Sequence, residues 1–214
     1  MITLSAIVAA VFGALFGLVC DRLAARWPAH ENGRIRPVDW RTVAVPLAGA
    51  LAFGGLALRW SEPRDLLVLG AWFCALLVLL ATDLDQRLLP DVVTLPLIPI
   101  TLGVLLVGWD PLLADKELGV VSGLAAAIGA PVILFVSDLL LRGSLGIGDL
   151  KLAVSLGLMA GVARLFTGFL LASAGSSILL IALLASRRLG LRSAIPFGPI
   201  LIAGGFIAAL LPAA

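Results

Sequence analysis

Two acidic segments of the chain hold residue types that can hydrolyse a peptide bond. The first, residues 81–91, reads ATDLDQRLLPD, and the second, residues 146–151, reads GIGDLK. Each puts a carboxylate at the edge of an apolar stretch, Asp83 or Asp85 in the first segment and Asp149 in the second. Two neighbouring carboxylates do not both ionise easily, so one holds a proton while the other accepts one from water. The segments therefore predict an acid pair, provided that the fold brings them together.

Local spacing indicates how these carboxylates are presented. Asp83 and Asp85 are two residues apart, so on a continuous helix they face different directions and only one can point to a shared site. Gly146 and Gly148 carry no Cβ, which permits positive φ and close backbone approach at the turn that presents Asp149. Spacing alone leaves Asp83 and Asp85 as alternatives.

The remaining acids have structural interpretations. Asp91 follows Pro90 and precedes an apolar run, which is typical of a helix N-cap. Asp138 precedes Arg142 by four residues, which favours an ion pair on one helix. Five acids in the opposite loops are expected to be solvated: Glu62, Asp65, Asp110, Asp115 and Glu117.

The composition indicates which elements must position the acids. Of the 214 residues, 61% are hydrophobic and 13% are charged, and the mean hydropathy is +1.15. A soluble domain is about 25% charged, so a soluble globular enzyme is excluded. We expect an all-α, multi-pass membrane protein, with residues 1–214 forming one integral-membrane domain in contact with the lipid bilayer.

Charged clusters and Pro or Gly breaks divide the chain into eight predicted transmembrane helices. Their approximate bounds are 2–23, 42–60, 65–83, 92–109, 118–141, 149–162, 165–185 and 196–212. Eleven of the 15 Lys and Arg residues fall in the loops on one side, which predicts that this side is cytoplasmic and both termini are extracytoplasmic. Basic residues spread over short loops indicate membrane topology, so no nucleic-acid partner is implied.

The acidic segments resemble the two signatures of the prepilin peptidase (type IV leader peptidase) family, membrane aspartic proteases of the Gly-x-Gly-Asp class. In that pattern an Asp stands seven residues before a Pro-Asp pair, and Pro90-Asp91 stands seven residues after Asp83. Residues 194–199 (AIPFGP) resemble the start of the family's last span. Phe12-Gly13 and Arg22-Leu23 resemble more weakly the family's motif around the first span, so the resemblance runs from the first span to the last.

The resemblance implies catalytic roles for Asp83 and Asp149, placed at the cytoplasmic boundary of the inner membrane. Supporting roles follow for the other residues that match the signatures: Gly146, Gly148, Lys151, Arg87, Pro90 and Asp91. The implied reaction is removal of the basic leader from type IV prepilin or pseudopilin precursors, which are the implied partners. The oligomeric state stays open.

The chain departs from many relatives in its short cytoplasmic loop, residues 24–41. Bifunctional members carry there a larger domain with two Cys-x-x-Cys pairs, associated with zinc and with N-methylation by S-adenosylmethionine, whereas this loop has no cysteine. We therefore expect no metal and no cofactor for cleavage, and methylation stays an open question. The alternative interpretations are a proton-coupled secondary transporter and an inactive scaffold of pilus or secretion assembly.

Overall fold

A computed structural model describes residues 4–28, 35–113, 117–141, 145–185 and 197–212. Within these ranges the chain forms seven helices and no strand. The helices are α1 (Leu4–Ala24), α2 (Arg41–Arg59), α3 (Pro63–Gln86), α4 (Asp91–Leu106), α5 (Gly119–Leu141), α6 (Ile147–Ala185) and α7 (Gly198–Leu210). The all-α prediction is confirmed.

The helices differ in their capacity to cross a bilayer. Helices α1, α2, α3, α5 and α6 are long and apolar enough to span one, and α4 and α7 are shorter apolar helices. The chain is a multi-pass membrane protein. The total of eight spans and the location of both termini stay predictions.

Helix α6 contains a sharp break at Gly161, where φ is 64° and ψ is 179°. Its 39 residues would extend about 58 Å if straight, against a hydrocarbon core of about 30 Å. The break divides α6 into a first segment, residues 147–160, and a second segment, residues 162–185. The sequence predicts a division between its sixth and seventh spans at this place.

Contacts with α7 show that the chain reverses direction at this break. A Cβ on Gly205 would lie 2.7 Å from Leu156 Cδ2, in the first segment of α6. A Cβ on Gly168, in the second segment, would lie 2.4 Å from the carbonyl oxygen of Gly204. Since both segments contact the same level of α7, they form a helical hairpin, and the end of α6 returns toward the side on which it began.

Helix α3 is the central element of the bundle. It contacts α1, α2, α4 and α7, and its side chains Leu69, Phe73, Leu76 and Leu77 are fully buried. Burial of such side chains removes apolar surface from contact with the solvent and favours dense packing. Thr82 and Asp83, near the end of α3, are also buried, whereas residues 84–86 are partly buried.

Candidate active site

Asp83 lies in the last turn of α3. The helix ends at Gln86, and Arg87 follows in the left-handed conformation, with φ of 55° and ψ of 38°. The Arg87 backbone N–H donates to the Asp83 carbonyl oxygen at 2.9 Å, which satisfies one of the last free carbonyls of the helix. The Asp83 residue is only 5% exposed.

Asp149 lies in the first turn of α6, on a tight turn that begins at Gly146. The Asp149 backbone N–H donates to the Gly146 carbonyl oxygen at 3.0 Å, and the Gly146 N–H donates to Asp149 Oδ2 at 3.2 Å. This reciprocal pair fixes the direction of the carboxylate. Asp149 is 8% exposed.

The structure brings Asp83 and Asp149 close enough for their carboxylates to interact electrostatically. One oxygen of each, Asp83 Oδ2 and Asp149 Oδ1, is buried without a hydrogen-bond partner in the described part of the chain. Buried carboxylate oxygens normally accept hydrogen bonds, so an unused acceptor on each of two interacting carboxylates makes this pair a candidate functional site. The arrangement can bind a water molecule and exchange protons with it.

Two glycines allow the acidic segments to come together. A Cβ on Gly198, the first residue of α7, would lie 2.6 Å from Asp83 Oδ2. A Cβ on Gly148 would lie 2.8 Å from the Cβ of Leu89, in the connection between α3 and α4. Gly198 belongs to the sequence segment that resembles the family's last span, but its contact with Asp83 is visible only in the fold.

The two glycines before Asp149 use only part of the freedom that a missing Cβ allows. Among the described glycines only Gly108 and Gly161 have positive φ, so Gly146 and Gly148 do not adopt that conformation. Position 148 requires glycine because a Cβ there would be too close to Leu89. A Cβ on Gly146 would have its nearest neighbour at 3.4 Å, an ordinary contact distance.

The Asp85 side chain is engaged elsewhere. Its Oδ1 lies 2.6 Å from Arg36 Nε and 2.9 Å from Arg41 Nη1, and the side chain is 1% exposed. Both arginines come from the first polar connection of the chain, residues 35–41. Asp85 therefore ties the end of α3 to the start of α2.

Further acids near this end of the bundle are paired with the same arginines. Arg36 also forms ion pairs with Asp21 and Asp39. Burial raises the pKa of Asp39, but hydrogen bonds from the Arg36 side chain and the Arg41 backbone outweigh it and hold that pKa below its ordinary value. Residues 29–34 of the same connection lie outside the described residues.

The supporting residues also connect elements. Lys151 Nζ lies 2.7 Å from Asp91 Oδ1, and this ion pair joins the N-terminal parts of α6 and α4. Pro90 is the N-cap of α4 and Asp91 is its first residue, so the N-cap interpretation of Asp91 is wrong. Its carboxylate binds the Lys151 ammonium because the two helices begin side by side.

Asp138 accepts a hydrogen bond from the Leu145 backbone N–H at 2.8 Å, just before the turn that presents Asp149. Its expected ion-pair partner, Arg142, lies outside the described residues. In the sequence segment 194–199, residues 194–196 also lie outside them.

Asp110, on the loop after α4, is 1% exposed, so its expected solvation is wrong. Its Oδ1 accepts the Leu112 N–H at 2.8 Å, and burial raises its pKa to about 7, although Arg164 is near enough to oppose the shift. The Arg164 guanidinium is also buried and donates to the carbonyl oxygens of Ala208 and Leu211. Asp65, which was also expected to be solvated, is buried as well. The hydropathy of the loops alone does not predict the burial of Asp65 or Asp110.

No group of three or more His, Cys, Asp or Glu side chains that could hold a metal ion occurs in the described ranges. The candidate site consists of two carboxylates, those of Asp83 and Asp149. These come from α3 and α6, with α7 packed against one of them.

Comparisons with known proteins agree with the motifs. The type IV leader peptidase family matches residues 68–186, more than half of the chain. The prepilin leader peptidase/N-methyltransferase of Burkholderia pseudomallei (strain 1026b) is 37% identical over 182 residues, which are 81% of this chain and 57% of that protein. The protein of the same name from Dickeya chrysanthemi is 32% identical over 177 residues, 81% of this chain and 61% of that protein.

The chain thus spans about three-fifths of the length of these relatives. No solved structure matches it. The matched region contains Asp83, Asp149, all of α6 and α3 from residue 68 onward. With more than half of its length matched, the chain belongs to the type IV leader peptidase family.

Proposed function

We propose that this chain is an aspartic endopeptidase that removes the basic leader from type IV prepilin-like or pseudopilin precursors. The observation that carries the proposal is the pair of buried carboxylates, Asp83 and Asp149, each with one unused acceptor oxygen. Membership of the type IV leader peptidase family supports this reaction over transport of a solute. Presence of both acids supports an active enzyme over a scaffold.

The proposed reaction is a general acid–base hydrolysis. One carboxylate accepts a proton from water as the water oxygen attacks the carbonyl carbon, and the other, protonated, donates its proton to the carbonyl oxygen. The carbon–nitrogen bond then breaks, and the leaving amine receives a proton from the dyad. No cofactor is required because both the acceptor and the donor are side chains of the chain.

The residues around the two acids have structural roles in the proposed site. Gly146 directs Asp149 through its N–H, and Gly148 permits the approach of the α6 turn to Leu89. The pair Asp91–Lys151 holds the starts of α4 and α6 together. Arg87 ends α3 directly after the catalytic turn and adds positive charge near Asp83.

We place the site at the cytoplasmic face of the inner membrane. The excess of Lys and Arg in the loops on that side supports this orientation, since basic loops are retained in the cytoplasm. Arg36 and Arg41 lie at the same end of the bundle as Asp83, through their contacts with Asp85. A basic leader would then meet the acids at the membrane boundary.

The direct test is incubation of the purified full chain, in lipid nanodiscs, with prepilin-like precursors from the same genome. We expect one cut between leader and apolar helix, after a Gly, read by mass spectrometry. Intact precursor after prolonged incubation with a folded sample, across all the precursors, would contradict the proposed activity.

A further inference from the structure

An apolar groove of about 270 Å³ lies between α5 and the hairpin of α6, with one side completed by α7. Every residue that lines it is apolar or glycine. Its base is buried, with Ala153, Leu156 and Leu201 each no more than 4% exposed. Its rim is exposed, with Ile133 and Phe166 each 66% exposed, so the groove opens sideways to lipid.

One end of the groove lies one helical turn from Asp149. Ala153 is one turn after Asp149 on α6, about 6 Å along the axis, and lines the base. Leu201 is three residues after Gly198, whose backbone contacts Asp83. From there the groove extends to Val162 at the reversal of α6, about 20 Å along the axis from Asp149.

The α5 wall suits a helix as the occupant. Ala126, Gly129, Ala130 and Ile133 recur at helical spacing along the groove. Small residues at such spacing let a second helix approach closely, and in lipid this close packing drives association. A Cβ on Gly129 would meet no atom within 4 Å, so space is available at the middle of this wall.

We propose that this groove binds the apolar membrane helix of the precursor and thereby sets its cleavage site against Asp83 and Asp149. The inference rests on the proposed function. A helix already in the bilayer enters sideways, its apolar side chains fill the groove, and its leader end emerges at the acids. The occupant is the substrate helix because the groove starts one helical turn from Asp149, at the site where that chain is cut in the proposed reaction.

The test fills the groove and compares substrates. Gly129→Trp places an indole in the open space, and Gly175→Trp is the matched control, since Gly175 also has no atom within 4 Å of a built Cβ but does not line the groove. Each variant in nanodiscs is given a full precursor and its leader-only peptide. We expect Gly129→Trp to raise the KM for the full precursor at least tenfold. The ratio of kcat/KM for the full precursor to kcat/KM for the leader-only peptide should fall by the same factor. Gly175→Trp should leave the KM and this ratio unchanged.

A second measurement does not depend on the folding of the tryptophan variant. A photoreactive benzophenone side chain replaces Ile133 on the groove rim, and the products of illumination are identified by mass. We expect cross-links to the apolar helix of the precursor. Cross-links to lipid alone or to a second copy of the chain would overturn the inference.

The outcomes separate the two proposals. A wild-type chain that cuts no precursor contradicts the proposed function and the groove with it. A wild-type chain that cuts the precursor, together with an unchanged KM in Gly129→Trp, overturns the groove alone.

Discussion

Gly198 lies directly against Asp83, so close that a Cβ on the glycine would be 2.6 Å from the Oδ2 of the carboxylate. The contact joins the start of α7 to the last turn of α3. The proposed catalytic acid is thus positioned partly by the backbone of a helix more than 100 residues later in the chain.

We expect Gly198→Ala to lower the cleavage rate by about 100-fold, because the added methyl group must displace the Asp83 carboxylate and misplacement of about 1 Å costs that much. The rate is measured with precursor in nanodiscs. Gly103→Ala is the control, since a Cβ there meets nothing within 4 Å. Full activity of Gly198→Ala would show that the contact does not position Asp83.

We expect Gly148→Ala to impair cleavage through its contact with Leu89, because the two Cβ atoms would be 2.8 Å apart. Leu89→Gly removes the opposing Cβ, so the double variant should recover part of the lost rate. A double-mutant cycle on precursor cleavage measures this coupling. Additive losses in the cycle would rule out steric contact as the cause.

We expect Asp85→Asn to destabilise the protein by about 1–3 kcal/mol, because the largely buried Arg36 and the partly exposed Arg41 lose a charged partner. The measurement is the apparent unfolding temperature in detergent, alongside precursor cleavage by the folded fraction. The folded fraction of Asp85→Asn should still cleave the precursor, because the Asp85 side chain is bound by these arginines and does not belong to the proposed acid pair. A stable Asp85→Asn protein with no activity would favour Asp85 over Asp83 as the acid.

Asp110 makes stability depend on pH. Its pKa is about 7 in the folded chain against an ordinary value of 3.8, so between these values the folded state holds a proton that the unfolded state releases. The contribution of Asp110 to the free energy of unfolding is therefore greatest at low pH and is lost as the pH rises through about 7. The loss between pH 5.5 and a pH well above 7 is about 2 kcal/mol.

The check is thermal unfolding of wild type and Asp110→Asn at pH 5.5 and pH 8. We expect the wild type to lose stability at the higher pH and the variant, which keeps the Leu112 hydrogen bond but cannot ionise, to lose less. An equal loss in both proteins would assign the pH dependence to other groups.

The sequence predicts the all-α membrane architecture because apolar runs and their breaks are local properties. Its spacing alone leaves Asp83 and Asp85 as alternatives. The register of the family signature selects Asp83, and in the fold Asp85 is engaged with Arg36. Burial of Asp110 and the contact of Gly198 with Asp83 depend on packing between distant elements, which periodicity does not encode.

The central claim is that Asp83 and Asp149 share the catalytic proton, and single Asn variants test it most directly. The amide nearly preserves size but neither accepts a proton from water nor donates one as a carboxylic acid. We predict that Asp83→Asn and Asp149→Asn each abolish cleavage of the precursor in nanodiscs while the protein stays folded by thermal unfolding. Cleavage at the wild-type rate by either folded variant would contradict the account.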